Sequence, residues 1–213
     1  MLQRLTIPWS ILLSIRQSLQ VLKAFRPDVV CGFGGYVSAS GGIAAWLRRV
    51  RLVIHEQNKI AGITNRCLSH LASEVCESFP GTFHPRVGAI HTGNPLRATI
   101  QNLGLKCIGH AIAPLRIVVL GGSQGAQIFN EVVPEALAEF AKIQPMQVRH
   151  QTGQVMQPMV ATSYANLGVT AVTAAFVMDM ADWYQWADLV IARAGATTIA
   201  ELMAVGVPSI LII

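Results

Sequence analysis

Short apolar strands alternate with helical segments along most of this 213-residue chain, and this alternation limits the fold more than any other feature. Strands rich in Val, Ile and Leu that alternate with helices of about 10 to 15 residues are typical of parallel sheets covered by helices. We therefore predict an α/β fold with two Rossmann-like units. In the second half the predicted strands are 116–120, 146–151, 169–174, 189–192 and 208–213.

A change in composition near the middle of the chain predicts the domain boundary. Residues 80–114 contain four prolines and five glycines, which favour loops. We expect a first domain over 1–96, a linker over 97–114 and a second domain over 115–213. Residues 1–110 have a charge balance of +8 and residues 111–213 one of −3, so the first domain is expected to meet an anionic partner.

The overall composition excludes two classes of protein. With 52% hydrophobic and 13% charged residues, the chain is too apolar to be disordered. Its most apolar long stretch, 7–22, is interrupted by a proline and several polar residues, so no spanning helix is predicted. The four cysteines show no CxxC spacing, which predicts structural thiols in a reducing cytoplasm.

Two loops in the second half follow strands and open helices, where backbone N–H groups can bind phosphate. The first, Gly121-Gly-Ser-Gln-Gly-Ala, is neither a Walker A loop nor a GxGxxG loop, and phosphate binding and a simple tight turn remain equal alternatives. The second, Arg193-Ala-Gly-Ala-Thr-Thr, is followed by Glu201. That carboxylate suits a ribose diol, but the Thr-x-x-Glu spacing is also that of a helix capping box.

Polar side chains in the first half form a second group of candidates. His55-Glu-Gln-Asn58 ends a predicted strand, so His55 and Glu56 are weak candidates for acid–base chemistry, with a hydrogen-bonded turn as the alternative. Arg97, in Asn94-Pro-Leu-Arg97, is either a ligand-binding or a salt-bridging arginine. The histidines show no HxxxH pairing, so we expect no metal site.

Apolar side chains near the start of the chain form a candidate membrane-docking patch, with core packing as the alternative. The patch is bordered by several arginines, a composition that suits an anionic bilayer surface. Its predicted members are Trp9, Leu12, Ile15 and Trp46.

Five ordered motifs together resemble the MurG family, the bacterial glycosyltransferases that add N-acetylglucosamine to lipid-linked muramyl-pentapeptide in peptidoglycan synthesis. The resemblance extends over nearly the whole chain. The motifs are Pro27-Asp-Val-Val-Cys-Gly-Phe-Gly-Gly-Tyr-Val-Ser, His55-Glu-Gln-Asn, Gly93-Asn-Pro-Leu-Arg, Gly121-Gly-Ser-Gln-Gly-Ala and Arg193-Ala-Gly-Ala-Thr-Thr-Ile-Ala-Glu.

The resemblance implies a GT-B fold, an inverting transfer without metal or cofactor, and a place at the cytoplasmic face of the bacterial inner membrane. The implied partners are UDP-N-acetylglucosamine, the undecaprenyl-linked muramyl-pentapeptide and an anionic membrane, but no nucleic acid. Gly34, Gly35 and Tyr36 would face the acceptor. The implied donor-binding residues are Asn58, Arg97, Ser123, Val177, Ala196, Thr197, Thr198, Ile199, Ala200 and Glu201.

Two features of the family pattern do not occur in this sequence. The family begins with a Gly-rich loop that carries a histidine, the candidate general base, and it continues past the last strand into a Gln-rich segment. We therefore expect a first domain with an incomplete sheet, no identified catalytic base and no turnover by the 213-residue chain. The alternatives are a non-catalytic remnant that at most binds a UDP-sugar, or another GT-B enzyme such as a lipid glycosyltransferase or a UDP-sugar epimerase.

Overall fold

The computed structural model describes residues 3–105, 114–121 and 127–212, with side chains from Trp9 onward. The chain divides into two compact units, Met1–Pro95 and Leu96–Ile213. Each unit has its own parallel sheet, as expected for an α/β chain with two Rossmann-like halves.

The first unit has a four-stranded parallel sheet in the order β1-β2-β3-β4. Its strands are β1 (Val29–Gly32), β2 (Arg51–Glu56), β3 (Glu74–Glu77) and β4 (Ile90–His91). Its helices are α1 (Gln3–Phe25), α2 (Gly35–Leu47) and α3 (Ile63–Leu68), with a 3-10 helix at Pro85–Val87. Helix α2 packs against both α1 and α3.

Alternation along β2 separates the two faces of this sheet. Leu52 and Ile54 are fully buried and pack with Ala45, Leu68 and other apolar residues in the core of the unit. The side chain between them belongs to the opposite face, because successive strand residues point to opposite sides. Here Val53 lines an apolar cavity of about 290 Å³ together with Cys31 and Cys76 of the neighbouring strands.

The second unit has a five-stranded parallel sheet in the order β7-β6-β5-β8-β9. Its strands are β5 (Leu115–Leu120), β6 (Met146–Gln151), β7 (Ala171–Ala174), β8 (Leu189–Arg193) and β9 (Ser209–Ile212). Its helices are α4 (Ala98–Gln101), α5 (Gln127–Ala141), α6 (Gln157–Asn166), α7 (Met180–Trp186) and α8 (Ala196–Val205).

The central strand β5 is buried on both faces, as its unbroken apolar sequence predicts. Ile117 and Val119 pack on one side with residues of α5 and α6. Val118 and Leu120 pack on the other side with residues of α7 and α8. The two layers of core hold the sheet between the helices and fix the loops that leave its strands.

Strand β4 and helix α4 lie within residues 80–114, where the sequence analysis predicted loops, and β3 precedes that segment at a position for which no strand was predicted. Strands β3 and β4 are short and carry Glu or His at their ends, so they lack the continuous apolar pattern on which the prediction depended. Helix α4 lies inside the predicted linker 97–114, because the fully buried Ile100 anchors it in the core of the second unit. The later linker residues 106–113 lie outside the described residues.

None of the helices within the described residues is long and apolar enough to span a membrane.

A buried His–Tyr pair lies inside the second unit. His150 on β6 is completely buried, and its Nδ1 lies 3.0 Å from the hydroxyl of Tyr164 on α6. Burial disfavours the imidazolium and lowers the pKa of His150 from 6.5 to about 4. The imidazole is therefore neutral in the folded protein at neutral pH.

We expect this histidine to make the folded state less stable as the pH falls from 6.5 to about 4, because the unfolded chain binds the proton first. The free energy of unfolding, measured by urea denaturation, should fall by up to about 3 kcal/mol more in the wild type than in His150→Gln over this range. His70→Gln, at an exposed position, is the control and should keep the wild-type pH dependence. Equal pH dependence in wild type and His150→Gln would contradict the assignment.

Candidate functional sites

A buried carboxylate organises the loop that follows β2 in the first unit. Glu56 is only 3% exposed. Its Oε1 accepts hydrogen bonds from the backbone N–H and the side-chain amide of Asn58, both at 3.1 Å. Its Oε2 accepts from the backbone N–H of Gly62 at 3.0 Å and from the amide of Asn65 at 2.9 Å.

The protonation state of Glu56 follows from these contacts. Burial alone raises the pKa of a carboxyl, but the hydrogen bonds from Asn58, Gly62 and Asn65 outweigh it and hold the pKa of Glu56 below its usual value. Both carboxylate oxygens of Glu56 thus accept hydrogen bonds from the residues that follow it in the chain. The arrangement favours the hydrogen-bonded turn over acid–base chemistry for this residue.

Asn65 and Gln57 connect this loop with the Gly-rich loop after β1. The φ angle of Gly34 is +82°, and a Cβ at this position would lie 3.2 Å from the amide nitrogen of Asn65. Only glycine combines that backbone angle with so close a neighbour. The amide of Gln57 donates to the carbonyl of Phe33 at 3.0 Å, so the predicted acceptor loop and the predicted donor residue Asn58 share one hydrogen-bonded assembly.

The predicted acceptor residues lie at the start of α2 rather than in a free loop. Gly34 is the N-cap, and Gly35 and Tyr36 form the first turn. Tyr36 is 89% exposed, which leaves its ring available to a ligand. Helix α2 begins at Gly35, directly after the turn that the positive φ angles of Gly34 and Gly35 make in the chain.

His55, the residue before Glu56, contacts the segments that follow β3 and β4. Its Nε2 lies 3.0 Å from the carbonyl of Gly93 and 3.5 Å from the hydroxyl of Ser78, which donates to Asn94 at 2.6 Å. The buried Nδ1 of His55 has no hydrogen-bond partner within the described residues. His55 therefore ties β2 to the segment after β4, and a catalytic role for it stays a prediction.

In the second unit the order of the strands indicates the position of a candidate binding site. The chain runs outward from β5 through β6 to β7, and then returns to form β8 on the other side of β5. Parallel sheets bind ligands at such a reversal, beside the carboxyl ends of the two central strands. Gly121 follows β5 there, while residues 122–126, and with them the predicted donor residue Ser123, lie outside the described residues.

The second central strand leads into α8 at the same edge. Gly195 is the N-cap of this ten-residue helix and makes no side-chain capping bond. The capping-box alternative is therefore wrong, because Glu201 lies in the middle of the helix. Ala196, Thr197 and Thr198 form its first turn.

Glu201 is the buried carboxylate of the second unit. It is 7% exposed, and its Oε1 lies 3.1 Å from the guanidinium of Arg97. Its Oε2 accepts a hydrogen bond of 2.9 Å from the hydroxyl of Tyr184 on α7. Burial, the neighbouring carboxylate and their hydrogen bond raise the pKa of Tyr184, so the phenol remains a proton donor.

Within the second unit the structure brings part of the predicted donor set together. Arg97 and Glu201 form an ion pair, and Ala196 to Glu201 share one helix. Val177 is buried in the turn before α7, and Asn58 belongs to the other unit. Sequence reasoning missed Tyr184, because the local sequence of α7 gives no sign of the contact with Glu201.

The candidate membrane patch lies on α1 and α2 of the first unit. Trp9, Leu12 and Trp46 are 67%, 60% and 51% exposed, while Ile15 is half-buried. Arg16 on α1 is exposed as well, as are Arg48, Arg49 and Arg51 just after α2. Most of the patch is thus surface rather than core.

Within the ranges that the structure describes, no three His, Cys, Asp or Glu side chains group as a metal site requires.

Two family models match the chain, one in each unit. Residues 1–77 match the glycosyltransferase family 28 N-terminal domain, and residues 116–213 match the glycosyltransferase family 28 C-terminal domain.

Curated relatives share the name UDP-N-acetylglucosamine–N-acetylmuramyl-(pentapeptide) pyrophosphoryl-undecaprenol N-acetylglucosamine transferase. The protein of Aeromonas hydrophila is 45% identical over 208 residues, which is 98% of this chain and 57% of the relative. The protein of Chromohalobacter salexigens is 47% identical over 98% of this chain and 58% of its own length. That of Coxiella burnetii is 42% identical over 99% of this chain and 60% of its own length. The chain thus spans less than two thirds of these relatives.

Solved structures agree with these relatives on the fold. The crystal structure of MurG from Acinetobacter baumannii has a TM-score of 0.72 and 37% identity, covering 96% of this chain and 58% of that one. A UDP-N-acetylglucosamine 2-epimerase from Neisseria meningitidis has a TM-score of 0.64 at 13% identity, over 94% of this chain and 63% of that one, and shows only the shared fold. The predicted GT-B fold is confirmed.

The geometry at Glu56 predicts that Glu56→Gln lowers the free energy of unfolding by about 1 to 3 kcal/mol at pH 7, because an amide presents its own donor to groups that already donate. Urea denaturation of the purified chain measures the effect. Since the folded pKa is held low, the wild-type advantage should be present at neutral pH and disappear as the pH falls through that lowered value. Glu74→Gln, on the exposed surface of β3, should change stability by less than about 0.5 kcal/mol. Equal effects of the two substitutions would refute the role of Glu56.

Proposed function

Because the chain belongs to glycosyltransferase family 28, we propose that it forms part of an inverting enzyme that moves N-acetylglucosamine from UDP-N-acetylglucosamine to lipid-linked muramyl-pentapeptide. The observation that carries this proposal is the position of Glu201. A buried carboxylate in the middle of α8, the helix that follows β8 at the reversal of strand order, supports the proposal because a carboxylate can accept hydrogen bonds from ribose hydroxyls. The relatives with 42 to 47% identity support the choice of sugar and acceptor.

We assign donor binding mainly to the second unit. Glu201 would accept hydrogen bonds from the ribose hydroxyls, and the first turn of α8 would bind the diphosphate through its N–H groups and the hydroxyls of Thr197 and Thr198. Ile199 and Ala200 complete that segment, and the backbone at Val177 would face uracil. Arg97, beside Glu201, supplies positive charge for the diphosphate.

The first unit would then contribute to the acceptor side and to the remaining donor contact. Gly34, Gly35 and Tyr36 would approach the acceptor pyrophosphate, since backbone N–H groups at a helix N-terminus such as that of α2 suit an anion. Asn58 would contact the donor from a loop that Glu56 holds in place.

The chemistry is a single displacement at the anomeric carbon. The C4 hydroxyl of the acceptor attacks that carbon and passes its proton to a general base, while the bond to the diphosphate oxygen breaks and UDP leaves with the electron pair. Negative charge develops on the leaving diphosphate, so aligned N–H groups at a helix N-terminus lower the barrier. The configuration at the anomeric carbon is inverted.

We also propose that the patch of Trp9, Leu12, Ile15 and Trp46 docks the enzyme on the cytoplasmic face of the inner membrane. Exposed apolar side chains next to arginines fit the interface of an anionic bilayer. Docking would bring the protein to a substrate whose lipid tail remains in the membrane.

The donor assignment predicts that the chain binds UDP-N-acetylglucosamine in isothermal titration calorimetry and that Glu201→Gln weakens binding about 10- to 100-fold, because a charged acceptor of hydrogen bonds is lost. The control Glu139→Gln makes the same charge change on the exposed surface of α5 and should leave the affinity unchanged. Unchanged affinity in Glu201→Gln would contradict the assignment. Tighter binding of UDP-glucose than of UDP-N-acetylglucosamine would favour a different glycosyltransferase.

The docking assignment predicts that the chain co-sediments with phosphatidylglycerol vesicles, and that the double variant Trp9→Ser and Leu12→Ser loses most of this binding. Each buried apolar side chain contributes about 1.5 to 3 kcal/mol, so the double change should weaken binding at least tenfold. Ile143→Ser removes an 81% exposed side chain from the other unit and serves as the control. If the double variant sediments with the vesicles as the wild type and the Ile143→Ser control do, the patch does not dock the chain.

A further inference from the structure

We infer that Tyr184 is a positioning residue that fixes the carboxylate of Glu201 for the ribose of the donor nucleotide. The inference rests on the proposed donor site, and it adds a residue that belongs to none of the sequence motifs. It is carried by the hydrogen bond between the two side chains, by the burial of Tyr184 and by the unequal exposure of the two groups that hold Glu201.

The phenol is held firmly by its own surroundings. Tyr184 is 0% exposed and belongs to the apolar core on the α7 and α8 side of the sheet. Its helix packs against both α8 and β5. The ring therefore cannot move without opening this core, and its hydroxyl is a fixed donor aimed at Oε2 of Glu201.

Glutamate needs such a partner because its side chain has three rotatable bonds. Fixing that freedom only when a ligand binds lowers the affinity by the entropy of the lost rotamers. The hydrogen bond of 2.9 Å from Tyr184 fixes the carboxylate in advance. A donor to a charged acceptor is also among the stronger hydrogen bonds of proteins.

The second partner of Glu201 is placed differently. The side chain of Arg97 is 55% exposed, whereas that of Glu201 is 9% exposed. An exposed ion pair contributes little to fixing geometry, since solvent screens it and the long arginine side chain can move. Oε2 is thus held by a buried donor, whereas Oε1 lies beside a side chain that is more than half exposed, and we place the ligand on that side.

The two carboxylate oxygens of Glu201 therefore differ in the contacts that they can make with a ligand. Tyr184 uses one acceptor position on Oε2 permanently, so the carboxylate presents Oε1 and the remaining lone pair of Oε2 in one orientation. Two neighbouring hydroxyls of a ribose match two such acceptors. Because the phenol stays protonated, the orientation does not depend on pH in the neutral range.

The test compares two conservative variants of buried tyrosines in the same unit. Tyr184→Phe removes only the hydroxyl that holds Glu201. Tyr164→Phe removes a hydroxyl that is equally buried but contacts His150, so it controls for lost core stability. Thermal unfolding followed by circular dichroism confirms that both variants are folded at the temperature of the binding experiment.

Calorimetric affinities are measured for UDP and for 2′,3′-dideoxy-UDP, which lacks both ribose hydroxyls. We expect Tyr184→Phe to bind UDP about 3- to 10-fold more weakly than the wild type. For 2′,3′-dideoxy-UDP the loss should be less than about twofold. Tyr164→Phe should bind both ligands like the wild type. A role in stability alone would not move the ratio of the two affinities.

Three outcomes would overturn the inference in distinguishable ways. If Tyr184→Phe binds UDP like the wild type, the hydroxyl does not position the carboxylate. If it loses the same factor for both ligands, its effect is not on the ribose. If the wild type binds neither ligand while remaining folded, the proposed donor site itself is wrong, and the role of Tyr184 is wrong with it.

Discussion

Buried carboxylates held by local donors are the interactions on which both candidate sites depend. A carboxylate removed from water is stable only when hydrogen bonds or a counter-charge replace its hydration. Glu56 obtains this from the loop that follows it, with Asn58, Gly62 and Asn65 as donors. Glu201 obtains it from Tyr184 and Arg97, which belong to two other helices or their ends. In each unit such a buried acidic residue therefore holds together the groups that donate to it.

The sheets explain where these two residues lie. All the strands run parallel within each unit, so their carboxyl ends meet at one edge. Glu56 ends β2, and the helix that carries Glu201 follows β8 at the point where the strand order reverses. The cores supply rigidity below this edge, and the loops above it carry the polar groups. This arrangement, with a rigid core below and polar loops above, supports the proposed binding of an anionic nucleotide by helix ends and hydroxyls.

The parts of the fold that were predicted from the sequence are those whose burial follows a simple period. Strand β5 and helix α8 could be predicted because their apolar residues are continuous or regularly spaced. Strand β3 could not, since it has four residues with glutamates at both ends, and only its partners in the sheet make it a strand. At the site, Glu201 was visible through its motif. Tyr184 was not, because its role depends on a contact across 17 positions that no local pattern encodes.

A crystal structure of the chain with UDP-N-acetylglucosamine would test the central claim most directly. We expect hydrogen bonds between the ribose hydroxyls and the carboxylate of Glu201, with the bond from Tyr184 to Oε2 kept at about its present length of 2.9 Å. Arg97 would turn from Oε1 toward the diphosphate. Two results would contradict the account. One is a nucleotide whose ribose does not contact Glu201, and the other is a Glu201 that contacts the ribose only after its hydrogen bond with Tyr184 is broken.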